Sequence, residues 1–244
     1  MPSSLTSAPQ GTCRRRAMQT PFVARWCAAA ALLCPSLAAA ATGPDPLRPE
    51  APYPLDGVER TVPARGRFRC PEVAKVRYGG THLRYQSAVT VAEAFAPHLA
   101  AFEAIVVQVA VKHYGRPPRL VRHIGTHNCR RIGGWPTLIS EHGLANGIDI
   151  AGFDFGPAPR AVRPQLVRAL HGSQQVRVVR HWRSERPADA THRAFLHDLG
   201  RALVAARHVF RVVLGPGYPG HEDHLHLDCS PWRLVDIELD AAAS

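Results

Sequence analysis

Nine positions near the C-terminus, GHEDHLHLD from Gly220 to Asp228, hold His221, His224 and His226 together with Glu222, Asp223 and Asp228. Core packing does not gather imidazoles and carboxylates this densely, whereas metal binding and acid–base catalysis do. If this stretch runs as a strand, alternation puts His224, His226 and Asp228 on one side and Leu225 and Leu227 on the other. The leucines then face a core and the imidazoles a cleft. Upstream, SEHGLANGIDIAGF (140–153) contributes His142 and Asp149, seven positions apart. A continuous helix would place both on one face, but Gly143, Asn146 and Gly147 argue against one. The expectation is His142 at a loop or strand end, a glycine-bearing turn, then Asp149 on a strand opposite Ile148 and Ile150. Two histidines and one carboxylate, with a fourth position for water, make the ligand count of a catalytic zinc site. Imidazole with carboxylate suits zinc better than calcium or magnesium. Hydrolysis there needs a base for the water and an acid for the leaving nitrogen, and His221, Asp223 and His224 stand beside His226 for that work.

These side chains need a scaffold. VAKVRYGGTHLRY (73–85) predicts two short strands joined at Gly79-Gly80. Pro97 opens a helix that carries Leu99, Phe102, Ile105, Val106, Val109 and Ala110 at helical spacing and stops at Gly115. Strands are predicted at 119–126, 147–155, 176–182 and 209–215, with DHLHLDC (223–229) the last. Asp189 is expected to cap a helix running to about His208, with Phe195, Leu196, Leu199, Leu203 and Ala206 on one face. Strands outnumber helices without alternating with them. The expected class is therefore α+β, a small and largely antiparallel sheet with flanking helices.

A hydrophobic content of 45% and a charged content of 20% over 244 residues fit one globular domain and exclude a disordered chain. The formal charge is +11, almost all arginine, since Lys75 and Lys112 are the only lysines. That charge suits an anionic wall or membrane surface; nucleic acid is not expected, because no recognised binding motif accompanies it. Arg25, the short apolar run 26–34 and Ala38-Ala39-Ala40 read as a secretory signal peptide over 1–41, with Met18 a second candidate start. Residues 42–66, with six prolines between Pro44 and Pro63, read as a linker. The domain is expected over 67–236 and a tail over 237–244. No second apolar run of membrane length is expected, so the chain is placed in the periplasm or beyond, with no transmembrane segment after cleavage. Cleavage would leave Cys70, Cys129 and Cys229, and export permits a disulfide. Cys129 with Cys229 is the expected pair, since each adjoins a site segment. His82, His98, His113, His171, His181, His192, His197 and His208 are expected at the surface or in packing, Trp182 and Trp232 in the core, and Asp228 as the acceptor that orients a ligand histidine.

The segments IGTHNCRRIGGWPTLISEHGLANGIDIAGFDF, VRVVRHW and VVLGPGYPGHEDHLHLD together resemble the extensin-like C-terminal domain family of bacterial exported proteins, over roughly residues 67–235. That family is similar to the LAS zinc peptidases, which include D-alanyl-D-alanine carboxypeptidases and dipeptidases, and the penicillin-insensitive murein endopeptidases. The resemblance implies zinc ligands His142, Asp149 and His226, an α+β fold around a small antiparallel sheet, and peptidoglycan peptides as substrates. It offers two alternatives for the base, and this sequence has the residues of both. The carboxypeptidase branch points to Asp223, the endopeptidase branch to His224 and His221, and strand alternation favours His224. It also implies a substrate contact at Arg130, with Arg131 its rival. The expected function is an exported zinc peptidase that hydrolyses amide bonds in peptidoglycan stem peptides or cross-links. The alternative is a non-catalytic, metal-containing cell-wall-binding module. Surplus acid–base groups beside the third ligand favour the enzyme, because structural zinc sites usually close with four protein ligands.

Overall fold

A computed structural model describes residues 52–240, in the order β1 (Lys75–Tyr78), β2 (Val89–Ala92), α1 (Ala96–Tyr114), β3 (Leu120–Gly125), β4 (Arg131–Ile132), β5 (Trp135–Ile139), β6 (Gly147–Phe155), β7 (Gln174–Arg177), α2 (Val178–His181), α3 (Ala190–Ala205), β8 (Val212–Leu214), β9 (Leu225–Asp228) and β10 (Leu234–Asp236). The expected signal peptide lies outside the described residues. The main sheet runs β10-β8-β9-β6-β3, with β7 also paired to β6; β1–β2 and β4–β5 are separate two-stranded sheets. The class is α+β, but the main sheet is mixed, which corrects the antiparallel expectation. After β9 the chain turns back and passes to the far side of β8, so β10 runs parallel to β8 while the other pairs are antiparallel.

Two helices cover one side of the core. Leu99, Phe102, Val106 and Ala110 of α1 are buried, as are Phe195, Leu196, Leu199 and Leu203 of α3. Phe195 meets the rings of Tyr114, Phe153 and Phe155, joining both helices to β6. Pro97 sits in the first turn of α1, and Gly115 ends it at φ 61°, a left-handed cap suited to glycine. Residues Glu93–Tyr114 are long and apolar enough to cross a membrane by length and composition alone, which corrects the expectation that no such run follows the predicted signal peptide. The same helix buries His98 and Glu103 within the fold.

Buried polar groups redirect several predicted elements. The Glu103 carboxylate accepts the backbone N–H groups of Thr81, His82 and Leu83. Residues 79–85 therefore fold around that acid as a loop, and β1 pairs with β2 instead of forming the expected hairpin. The strand expected over 176–182 ends at Arg177, where His181 Nδ1 accepts the Arg177 N–H at 2.9 Å and the chain enters α2. Asp189 precedes α3 without a side-chain cap, because its carboxylate accepts from Ser184 Oγ. The predicted linker is part of the domain from residue 52: Tyr53 and Leu55 join the core, Arg60 is buried against Glu141, and Thr61 bridges to Leu138. The C-terminal stretch also packs, with Ile237 and Leu239 on the core and Glu238 O accepting from Trp182 Nε1 at 3.0 Å. Trp182 is buried as expected; Trp232 is exposed.

Candidate metal centre

The sheet register brings the two site segments together. Asp149 of β6 is the cross-strand partner of His226 on β9, so their side chains leave the same face. On the other face Ile148, Ile150, Leu225 and Leu227 are fully buried, and their burial locks the register that pairs acid with imidazole. His142 reaches the same point from a 3-10 turn, Glu141–Leu144, whose Ser140 cap accepts the His142 N–H at 3.3 Å. The left-handed residue that returns the chain to β6 is Ala145, at φ 53°, and not one of the glycines expected there. Gly147 packs closely on β9: a Cβ there would approach Asp228 Cβ to 3.2 Å.

Three ligand atoms converge. His142 Nε2 lies 3.2 Å from Asp149 Oδ1 and 3.1 Å from His226 Nδ1, and His226 Nδ1 lies 2.9 Å from Asp149 Oδ1. The far nitrogen of each ring fixes its tautomer. His142 Nδ1 donates to Thr126 O at 2.6 Å, and His226 Nε2 donates to Asp228 Oδ2 at 2.8 Å. Carbonyl and carboxylate oxygens only accept, so the inward nitrogens of the neutral rings carry lone pairs. Two nitrogen lone pairs and one carboxylate oxygen thus share a focus that calls for a proton or a cation. Zinc bonds of about 2.0–2.2 Å in a tetrahedral array place ligand atoms about 3.3–3.6 Å apart, only a few tenths wider than these separations. Among the described residues this is the one group of three His, Cys, Asp or Glu placed to share an ion.

Burial alone would raise the Asp149 carboxyl and lower His226. The hydrogen bonds from both histidines more than offset it for Asp149, whose pKa is held far below the usual carboxylate range. Asp149 and Asp228 together push His226 up to about 9. A metal ion bound here would therefore compete with a proton for His226 Nδ1. Asp228 is itself held in place, since Oδ1 accepts the Ser230 N–H at 2.9 Å and the Ser230 hydroxyl at 2.7 Å.

The remaining predicted residues border this focus. The chain bends at Glu222 and Asp223, so β9 starts at Leu225 and His224 precedes it. Asp223 Oδ1 accepts from His224 Nδ1 at 2.7 Å, and His224 Nε2 stands 3.6 Å from Asp149 Oδ1. The His221 ring lies 4.8 Å from that of His224 and 5.7 Å from that of His226. Burial, then the neighbouring imidazoles, lower the His221 pKa. The "Extensin-like protein C-terminus" profile matches residues 56–235. The chain belongs to this family. Neither the curated proteins nor the solved structures give a match.

The extensin-like domain thus starts before the expected residue 67, consistent with the packed segment from Tyr53 onward. Its disulfide also differs from expectation, joining Cys70 to Cys129. Cys229, directly after β9, is a buried free thiol in the core, with Sγ against Val209 O. Cys70 Sγ lies against the His142 turn: a Cβ at Gly143 would come within 2.6 Å of it, so only glycine fits. Arg131 is occupied, donating to Pro63 O and Gly66 O and lying 4.4 Å above the Phe68 ring. Arg130 is exposed, and its carbonyl accepts the Ser140 N–H at 2.9 Å, two residues before His142. Asp228 orients His226 as the sequence led one to expect, whereas Thr126, whose carbonyl fixes the His142 tautomer, and Ser230, which holds Asp228, were not anticipated. The Asp228-x-Ser230 spacing, which favours a local side-chain-to-backbone turn, was the signal available.

Proposed function

We propose that this extensin-like domain is an exported zinc-dependent peptidase of the LAS kind, acting on amide bonds in peptidoglycan stem peptides or cross-links. The observation that carries this reading is the shared focus of His142 Nε2, Asp149 Oδ1 and His226 Nδ1 with a further oriented imidazole, His224, at its edge. Zinc held by the first three would polarise the scissile carbonyl and bring the pKa of water toward neutrality. Asp223 accepts the Nδ1 proton of His224, leaving Nε2 with a lone pair toward the site. His224 Nε2 therefore takes the proton of the attacking water and returns it to the leaving nitrogen as the C–N bond breaks. This arrangement gives Asp223 the role of orienting the base. His221, beside His224, is a second station for the same proton. Arg130 is proposed to bind a substrate carboxylate, since its rival Arg131 is bonded elsewhere.

The alternative, a metal-containing wall-binding module without turnover, does not need the Asp223–His224 pair. The test uses the exported chain, incubated with purified muropeptides beside the His142→Ala and His224→Ala variants. The expected result is one zinc per chain and released peptide or amino acid for the native protein, no zinc for His142→Ala, and zinc without turnover for His224→Ala. Stoichiometric zinc with no cleavage of any muropeptide would sink the enzyme reading and leave the binding module.

A further inference from the structure

We propose that Asn146 is a positioning residue for the metal centre, its carboxamide tying the turn that carries His142 to the strand that carries His226. The inference rests on the metal reading of His142, Asp149 and His226. Asn146 has no exposed surface. Its Nδ2 donates to Glu141 Oε2 at 2.6 Å and to Cys229 O at 3.1 Å, and its Oδ1 accepts from the Tyr53 hydroxyl. Glu141 directly precedes His142, and Cys229 directly follows Asp228, the residue that orients His226. One side chain thus links both ligand-bearing segments and anchors them to a third. The Glu141 end is itself fixed, because Arg60 donates to both carboxylate oxygens at 2.5 and 3.2 Å.

A space-filling role would be served by an apolar side chain. A carboxamide at zero exposure is stabilised only through its hydrogen bonds, and these run to the segments whose separation sets the distance between the two imidazoles. Removing it leaves a Glu141 oxygen and the Cys229 carbonyl without that donor, so the turn and the strand lose their direct side-chain link. Metal sites respond to such losses in partners that orient ligands by about 10–100-fold in affinity.

The experiment uses the full chain and two probes, zinc and cobalt(II). Zinc affinity is measured by competition with a chromophoric chelator, and the intensity of the cobalt d–d bands reports coordination geometry. Asn146→Ala is compared with Glu103→Gln, a change at another buried polar residue, one that holds the 81–83 loop away from the three ligand residues. The expected result for Asn146→Ala is zinc affinity weaker by about 10–100-fold and an altered cobalt spectrum. Glu103→Gln should lower thermal stability but keep affinity and spectrum. Native affinity and spectrum in Asn146→Ala would overturn the proposal, as would an equal loss of affinity in Glu103→Gln. Should Asn146→Ala fail to fold, Tyr53→Phe removes only the hydroxyl on Oδ1; a smaller affinity loss with the same spectral change supports the role, and an unchanged spectrum overturns it. A native chain that takes up neither zinc nor cobalt brings down the metal reading itself, a result distinct from metal uptake that is indifferent to Asn146.

Discussion

The helical layer and the candidate metal centre are both rich in buried histidine, yet they use it in opposite ways. In the helical layer the buried rings of His98, His192 and His197 bond a backbone group or a hydroxyl. His98 Nδ1 donates to Val209 O at 2.6 Å, His192 Nδ1 pairs with the Tyr114 hydroxyl at 2.8 Å, and His197 Nε2 donates to Trp182 O at 2.9 Å. Burial lowers the pKa of His98, His181 and His192, so these rings stay neutral and serve packing. At the candidate metal centre the outward nitrogens of His142 and His226 are satisfied by a carbonyl and a carboxylate, but the inward ones meet each other and Asp149. The difference is not burial. It lies in whether the inward nitrogens share a focus with one another and a carboxylate, as those of His142 and His226 do with Asp149.

The sharpest way to break this comparison is to delete one histidine from each region. His226→Ala should abolish zinc binding, read as metal per chain after dialysis against a weak chelator. His197→Ala should keep one zinc per chain while losing about 1–3 kcal/mol of stability, the cost of unpaired buried partners. Zinc lost equally from both would mean that the two sets of histidines do not differ in kind.

The next effect separates the regions by cross-linking. The Cys70–Cys129 disulfide closes a loop with a sequence separation of 59 and lies against Gly143 in the His142 turn. Chain-entropy arithmetic for a loop of that size gives about 4 kcal/mol. Replacing both cysteines by serine should lower the unfolding free energy by up to that amount. Hydrogen exchange should rise first over 127–146, while α1 and α3 keep their protection. Uniform loss of protection across both helices would show that the disulfide braces the whole domain and not the site.

How much of this was readable beforehand depends on the range of the interaction. Alternation along β6 and β9 is local, so the burial of Ile148, Ile150, Leu225 and Leu227, and hence the faces of Asp149 and His226, followed from residue order. The helical spacing from Leu99 to Ala110 gave α1 nearly to its ends. Long-range choices were not readable. The Glu103 carboxylate captures a loop some twenty residues away in sequence and removes a predicted hairpin. Tyr53, 93 residues from Asn146, finds a buried partner there and turns a proline-rich stretch into part of the core. Cysteine pairing is long-range in the same sense, since three thiols allow several partners and only the fold buries Cys229 in the core as a free thiol.

The smallest predicted effect tests a place where the helical layer imitates the site. His113 Nε2 lies 2.9 Å from Asp198 Oδ2, an imidazole against a carboxylate, as at Asp149. Here the carboxylate is shared with cations, because Lys112 Nζ donates to the same oxygen at 2.7 Å and Arg201 Nη1 to Oδ1 at 2.8 Å. Burial would raise this carboxyl, but the bonds from Lys112 and His113 outweigh it and hold it at about 2, against an ordinary 3.8. A carboxyl depressed on folding contributes stability that is complete above its unfolded value and is lost as pH falls through the folded one. The native chain should therefore lose stability faster than Asp198→Asn between pH 3.8 and about 2, followed by urea midpoints at fixed salt. Solvent screening keeps the difference small, and added salt should shrink it further. Equal slopes for the two proteins would show that Asp198 is saturated by water and not by its cationic neighbours. The contrast with Asp149, whose partners are two imidazoles and no permanent cation, would then rest on the metal centre alone.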